Sequence, residues 1–454
     1  MSLQLTRDEV LERLSIKKYM VPKEELIERI EESRDRSLDF LRNLINNQQT
    51  GYERDDEGIN QTNPMLWEFG HILFFWEHKT LRFLLDEDYC NQISLENSAN
   101  IYDSFVVKAE DRYQIRLYGA DEVADKYVKS ITKIIQLLES DDFDYTPVSS
   151  YLIQISLLHN EMHNESYLFS QKMLCLNSDK TDRIKFGKPN SLPNKNYLMP
   201  LPLEHRMIEY DGGVLLQGAK DDSEHFVFDN EMPGFEKKVG VFRMSKYPIT
   251  EAQFAEFVND GGYEKEEYWC GPGWRWKTKH NISSPMYWSK YPFSNKYRIL
   301  IWSSSGFERR PLRHDMPVVH VSWYEAQAYC RWRGVRLPTE SEWEFVAQKQ
   351  NIVGNLDYAH GDVIPVNVYD NCNGPAQMFG NIWEWCEEPI YPYDGFVIDP
   401  VYREMSYPFF GFKKICRGGC FACPSYLISS TYRNAQMPDN RMQFIGFRVV
   451  EDVE

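Results

Sequence analysis

Two histidines four residues apart, His159 and His163, stand in the stretch LLHNEMHNESYLFS at Leu157–Ser170. Residues at i and i+4 share a helix face, so both imidazoles would present nitrogen toward one point. The apolar positions around them, Leu152, Ile155, Met162, Phe169 and Met173, recur at a helical period that turns both rings inward. Two inward, neutral imidazoles are half of a transition-metal site, although core histidines bonded to the backbone would show the same spacing. His71, inside the apolar run WEFGHILFFWEH, is the natural third ligand, because a buried ring needs a polar partner. His78 is the competing choice, and its neighbours Glu77 and Lys79 place it nearer a helix end and solvent. Spacing alone does not name the metal.

Such side chains need helices to hold them, and the first part of the chain supplies four long ones. Pro22 followed by Lys23, Glu24 and Glu25 reads as a helix start, after which Leu26, Ile30, Ser33, Ser37, Leu41 and Leu44 keep helical spacing. A polar loop from Asn46 to about Asn60 separates it from a second helix over about Pro64 to Leu85, apolar on nearly every side. Val123, Tyr127, Ile131, Ile134 and Leu138 mark a third helix, and Thr146–Leu174 a fourth that carries the histidine pair. Together they predict an antiparallel bundle, a scaffold that builds metal sites from facing helices.

From about Phe186 to Leu203 the sequence FGKPNSLPNKNYLMPLP has no periodicity and reads as a linker. Beyond it, turn dipeptides such as Asp211-Gly212, Gly261-Gly262 and Gly418-Gly419 multiply and helices shorten, which predicts an α+β domain rich in loops. The expected division is a helical bundle over 1–185, a linker over 186–205 and a second domain over 206–454.

Composition narrows the partners. With 454 residues, 42% of them hydrophobic and 26% charged, the chain has the profile of a folded multidomain protein. A net charge of −17 argues against a nucleic-acid backbone as partner. No apolar run is long enough to span a membrane, and the N-terminal MSLQLTRDEVLERL is charged where an export signal would be apolar. A cytoplasmic protein with no membrane partner is expected, and its nine cysteines fit reduced thiols better than a disulfide framework.

The C-terminal half resembles the formylglycine-generating-enzyme, or sulfatase-modifying-factor, family, whose α+β fold is C-type-lectin-like. The matching motifs are FVFDNEMPG at Phe226–Gly234, YPITEAQFAEFVNDGGY at Tyr247–Tyr263, the stretch Met316–Ala347, GNIWEWCEEP at Gly380–Pro389 and the closing CRGGCF, TYRN and QFIGFRVV. The N-terminal half resembles a DinB-like four-helix bundle, with WEFGH and HNEMHNE similar to the iron-binding motifs of the ergothioneine-type and ovothiol-type sulfoxide synthases. The resemblance implies an oxygen-dependent oxidoreductase that holds Fe(II) through His71, His159 and His163. It implies small-molecule substrates: a thiol (cysteine or γ-glutamylcysteine), O2, and the imidazole of trimethylhistidine (hercynine) or histidine, joined as a sulfoxide. Glu165 would fix a histidine tautomer from behind. Tyr402, rather than Tyr391 or Tyr393, would supply a proton or electron and steer the reaction away from simple thiol dioxygenation. Asn434 would bind the histidine-type substrate, although an Asx turn before Pro438 would use it as well.

Some positions depart from the family pattern. Met162 replaces a common Gln, and Gln436 and Asn440 stand where a γ-glutamylcysteine user shows Asp and Arg, which favours free cysteine or another small sulfur or selenium donor. A selenosugar-using, selenoneine-type synthase is an alternative, as is the ovothiol-type reaction on histidine. A zinc-dependent DinB-like thiol transferase is an alternative of another class, and a C-terminal domain that only binds ligand is a third. A formylglycine-generating oxidase is disfavoured, because Ile428 holds the place of the second cysteine opposite Cys423. The thiol donor, the modified imidazole carbon and the oligomeric state stay open at this level.

Overall fold

The computed structural model describes residues 5–46, 62–85, 95–174, 205–220, 222–303, 306–370 and 374–453. The chain divides into two compact units, and the division is not one cut at the linker. The helical unit takes Met1–Ile184 together with Lys220–Asp229 and Val397–Pro408, while Lys185–Ala219, Asn230–Phe396 and Phe409–Glu454 form the other. The expected second domain over 206–454 therefore lends two segments to the bundle. Apart from His205, the linker expected over 186–205 lies outside the described residues.

The helical unit begins with α1 (Arg7–Leu14), capped by Thr6 and Glu9, and α2 (Lys23–Asn46). Next comes α3 (Met65–Phe75), every residue of which is buried, as its uniformly apolar sequence requires. It runs on through a π-helical turn, Trp76–Leu81, and closes with Arg82–Leu84. A short α4 (Ser98–Tyr102) precedes α5 (Ala120–Glu139), which buries Val123, Tyr127, Ser130, Ile131, Ile134 and Leu138 as one stripe at three- and four-residue intervals. The last helix, α6 (Pro147–Leu174), packs against α2, α3 and the π turn, and α5 packs against the same three.

A buried amide locks this packing. Asn160 on α6 accepts hydrogen bonds from Trp76 Nε1 at 3.0 Å and from the Tyr127 hydroxyl at 2.8 Å. Its own amide donates to Ser37 Oγ at 2.8 Å, and that oxygen lies 2.8 Å from Asn164 Oδ1. Four segments of the unit meet at one side chain, next in sequence to His159. Because helix rotation would break all of these bonds at once, Asn160 sets which face of α6 points at α3.

The π turn has a consequence for the histidines. In an unbroken α-helix His78 would follow His71 on nearly the same stripe, whereas a wider turn breaks that register. His78 instead stacks on Phe74 at 4.3 Å with its Nε2 3.1 Å from Ser98 Oγ. The turn is held by Thr80, whose hydroxyl donates to the Leu152 carbonyl of α6 at 2.6 Å.

The second unit is α+β. Among the described residues its strands form four small sheets: β1 (Met207–Tyr210), β4 (Phe242–Ser245) and β12 (Val450–Asp452) in one; β2 (Gly213–Gln217) with β3 (Phe235–Val239); β5 (Trp288–Lys290), β6 (Tyr297–Ser303) and β7 (Gly306–Pro311). The fourth has the order β10 (Asn434–Gln436), β9 (Lys414–Arg417), β8 (Trp383–Pro389), β11 (Ile445–Gly446), with only β8 and β11 parallel. Its helices are α7 (Glu251–Asn259), α8 (Gly271–Lys279), α9 (Trp323–Arg333) and α10 (Glu340–Ala347). Polar side chains fasten it: Arg417 pairs with Glu344 at 2.5 Å, Arg433 with Glu340 at 2.7 Å and Arg448 with Glu384 at 2.6 Å, all buried. The Gly418-Gly419 turn after β9 takes φ of 93° and 81°, and a Cβ on Gly418 would stand 2.5 Å from the Met378 carbonyl oxygen, so glycine is required there. Among the described residues no helix is long and apolar enough to cross a membrane.

Asn160→Ala should destabilise the bundle by about 2–4 kcal/mol, because it strands the buried Trp76 and Tyr127 donors. Denaturant unfolding followed by tryptophan fluorescence measures the shift, and an unchanged midpoint would contradict the role given to this amide.

Candidate metal centre

His159 and His163 project from α6 toward α3, where they meet His71. The Nε2 atoms of His71 and His159 are 3.1 Å apart, and those of His159 and His163 are also 3.1 Å apart. Two of the rings are fixed from behind. His71 Nδ1 donates to the Tyr102 carbonyl at 2.7 Å, and His163 Nδ1 donates to Glu68 Oε1 at 2.5 Å. With a proton on each Nδ1, both Nε2 atoms carry lone pairs aimed at the same small space. A proton on His159 Nε2 could satisfy only one of them. A divalent cation would satisfy all three, and nitrogens 3.1 Å apart lie within reach of one ion at a metal–imidazole distance of about 2.1 Å. The donor chemistry thus fits a metal, and an all-imidazole set suits iron, zinc, copper or nickel.

Burial strengthens the argument. It holds His71 and His159 well below the usual imidazole range, helped by the charge each ring would feel from its neighbours, so both stay neutral as ligands must. Phe75 stacks on His159 at 3.8 Å, and Trp67 on His71 at 5.0 Å, walling off the deep side. Arg112 lies over the Trp67 ring at 3.9 Å. His163 and Met162 are only partly buried, so the centre opens on that side and Met162 is not the core residue that its spacing predicted.

Two features that position this centre escaped sequence reasoning. Glu68 is buried, on the same face of α3 as His71 three residues on, and it is the carboxylate that meets His163. A lone acid in the apolar run MLWEFGHILFF was the available signal. Gly70 is the second, since a Cβ there would stand 2.1 Å from the Tyr102 ring; only glycine lets Tyr102 approach closely enough to offer its carbonyl to His71. Glu165 is buried on α6, two residues beyond His163. The Nδ1 atoms of His71 and His163 are met by the Tyr102 carbonyl and Glu68, and the buried Nδ1 of His159 has no hydrogen-bond partner among the described residues.

Tyr402 belongs to the helical unit, on the Val397–Pro408 segment. Its ring meets His159 edge-on at 5.3 Å and Phe75 at 4.9 Å. Burial, reinforced by Glu404 and Asp229, pushes its phenol well up, so it holds its proton near neutrality. His78, the rival ligand, is brought elsewhere, and burial pulls it down to about 4.

The other expected residues lie in the α+β unit. Tyr391 is exposed, and Tyr393 is buried with the Arg433 guanidinium 4.0 Å over its ring. Asn434, Gln436 and Asn440 form a chain of amides: Gln436 Nε2 donates to Asn434 Oδ1 at 3.5 Å and Asn440 Nδ2 to Gln436 Oε1 at 3.1 Å. Asn434 Oδ1 also accepts from the Ala435 N–H at 2.7 Å. Cys420 and Cys423 have sulfurs 3.9 Å apart, beyond the bonding distance of about 2.05 Å. The Ile428 side chain lies over Gly419 beside Cys423, so an apolar group fills the space where a second thiol was looked for.

Residues 199–453 match the sulfatase-modifying factor enzyme 1-like domain, and with more than half its length so matched the chain belongs to that family. It is more broadly similar to hercynine oxygenases. It is 26% identical to the enzyme of Mycolicibacterium thermoresistibile, over 86% of this chain and 88% of that one. It is 26% identical to that of Mycolicibacterium smegmatis over 96% and 100%, and 32% identical to that of Mycobacterium tuberculosis over 52% and 58%. The resemblance to ergothioneine-type synthases seen in the motifs is thus matched along almost the whole chain.

Glu68→Gln should weaken divalent metal binding about 10- to 100-fold, since partners behind a ligand histidine typically carry that much affinity. Calorimetric titration with Co(II) or Zn(II) reads this, and an unchanged Kd would show that Glu68 does not orient His163.

Proposed function

We propose that this protein is a non-haem iron sulfoxide synthase that joins a thiol to the imidazole of trimethylhistidine, consuming one O2. The observation that carries this reading is the convergence of three imidazole Nε2 atoms with a protonated tyrosine, Tyr402, packed edge-on against one of the three rings. Likeness to hercynine oxygenases over nearly the whole chain supports the choice of the histidine-type substrate. In the net reaction an imidazole C–H and a thiol S–H are broken, a C–S and an S=O bond form, and the second oxygen atom leaves as water. Fe(II) held by His71, His159 and His163 would supply the activation of O2 and, with three ligand positions left open, a meeting point for both substrates.

The protein's own residues would do the rest. Glu68 and the Tyr102 carbonyl keep two imidazoles in the ligating tautomer. Phe75 and Trp67 exclude water from the deep side. Tyr402 holds a proton that can be given up as O2 is reduced, which favours coupling over addition of both oxygen atoms to the thiol sulfur. Asn434 is the proposed contact for the histidine-type substrate. Met162, Gln436 and Asn440, all uncharged, suit free cysteine better than a γ-glutamyl group carrying its own zwitterion.

The test is a matrix of anaerobically Fe(II)-loaded protein with trimethylhistidine or histidine, crossed with cysteine, γ-glutamylcysteine and a selenosugar, exposed to O2 and read by mass spectrometry. A product with the mass of trimethylhistidine plus cysteine plus one oxygen, less two hydrogens, is expected. Tyr402→Phe should shift the output toward the cysteine sulfinate. Product formation that needs zinc and no O2 would replace this reading with a thiol transferase.

A further inference from the structure

The segment that carries Tyr402 is built around a buried carboxylate with no part in the centre described so far. Asp399 is 5% exposed. One of its oxygens, Oδ1, accepts the backbone N–H groups of Val401 at 2.8 Å and Tyr402 at 2.9 Å, so it closes the turn from which the Tyr402 side chain springs. The other, Oδ2, accepts the hydroxyl of Tyr151. Tyr151 stands on α6, eight residues before His159, or about 12 Å along the same rigid helix. Asp399 therefore joins the tyrosine's turn to the helix that carries two of the three histidines. Tyr151 is itself held, stacked on Phe226 at 5.0 Å and covered by the Lys17 ammonium at 4.2 Å.

A second carboxylate repeats the device on the outer side of the turn. Asp229, also buried, accepts the Asp399 N–H at 3.0 Å through Oδ2 and the Ser406 hydroxyl at 3.0 Å through Oδ1. It thereby fastens both ends of the Tyr402 turn. Lys79, on the π turn, reaches Glu404 at 3.6 Å and adds a tie to α3.

The geometry points to Asp399 as a positioning residue that, through Tyr151, sets the distance of Tyr402 from the histidine cluster and so decides whether oxidation ends in coupling or in thiol oxidation alone. This rests on the reading proposed above. In coupling, the imidazole C–H and the thiol S–H are lost, the C–S and S=O bonds form, and one water leaves. In the competing path both atoms of O2 go to the thiol sulfur, giving a sulfinate with no C–S bond. Displacing the Tyr402 phenol favours the second path without changing the metal ligands.

The experiment compares wild type with Asp399→Ala, Asp399→Asn and Tyr151→Phe, as the full metal-loaded chain. Three quantities are read: Co(II) affinity, amide hydrogen exchange across residues 397–408, and the ratio of sulfoxide to sulfinate formed from cysteine and trimethylhistidine. Asp399→Ala should speed exchange at Val401 and Tyr402 by about tenfold or more. It should also lower the product ratio several-fold while leaving Co(II) affinity within about twofold of wild type. Asp399→Asn keeps an oxygen for the two N–H groups and should recover most of both properties. Tyr151→Phe should lower the ratio with smaller changes in exchange, and it carries the test if the alanine variant does not fold. Wild-type exchange and wild-type product ratio in Asp399→Ala, or in Tyr151→Phe where that variant stands in, would overturn the proposal. If the wild type forms no coupled product at all, the functional reading fails, and exchange with metal affinity still decides whether Asp399 holds the turn.

Discussion

One proton cannot satisfy three imidazole nitrogens that meet at 3.1 Å, and the helical unit is arranged so that the His71, His159 and His163 rings stay aimed at one point. His71 is tied at Nδ1 to a carbonyl that can only accept, and His163 to a buried carboxylate. Phe75 is stacked on His159 and leaves that ring no room to swing. A cation bound between the three rings would satisfy the nitrogens that one proton cannot, and scaffold and ion would then stabilise each other. The remaining features of the unit follow from keeping three rings aimed at one point.

Helix rotation is the first freedom to be removed, and Asn160 removes it with bonds to Trp76, Tyr127 and Ser37 on three neighbouring segments. A buried amide contributes little net stability when satisfied, but a rotated helix would leave several donors stranded at once, which makes the native register the one favoured. Approach of the chain behind His71 is the second. Gly70 lets Tyr102 close to a distance that no other residue would permit. The placement of Tyr402 is the third, and it is carried by segments taken from the far half of the sequence, Lys220–Asp229 and Val397–Pro408.

The histidine pair was legible because helical spacing is local: His159 and His163 share a face whatever else the chain does. His71 was legible as an unexplained polar ring in an apolar run. The Glu68 partner of His163 was not, since a lone acid in an apolar run does not say which ring it meets. Glu68 reaches His163 only because two helices 95 residues apart face each other. His78 could be ranked below His71 from its charged neighbours, but the π turn that takes it out of register leaves no mark in hydrophobic periodicity. A change of composition after about residue 186 was legible. The return of residues 397–408 to the bundle was not, because Tyr151 and Asp399 are 248 residues apart and neither stands in a pattern that names the other. For the amide trio, sequence order showed that Asn434, Gln436 and Asn440 lie close along the chain, whereas their hydrogen-bonded chain depends on the short strand β10.

The central claim is that one ion is held by these three imidazoles together. X-ray absorption at the iron edge, on protein loaded anaerobically with one equivalent of Fe(II), tests it most directly, because imidazole rings bound through one nitrogen give a distinctive outer-shell scattering. The account predicts the signature of about three imidazoles per iron, with one lost in each of His71→Ala, His159→Ala and His163→Ala. A wild-type spectrum dominated by sulfur or carboxylate ligands, or one that the histidine substitutions leave unchanged, would contradict it.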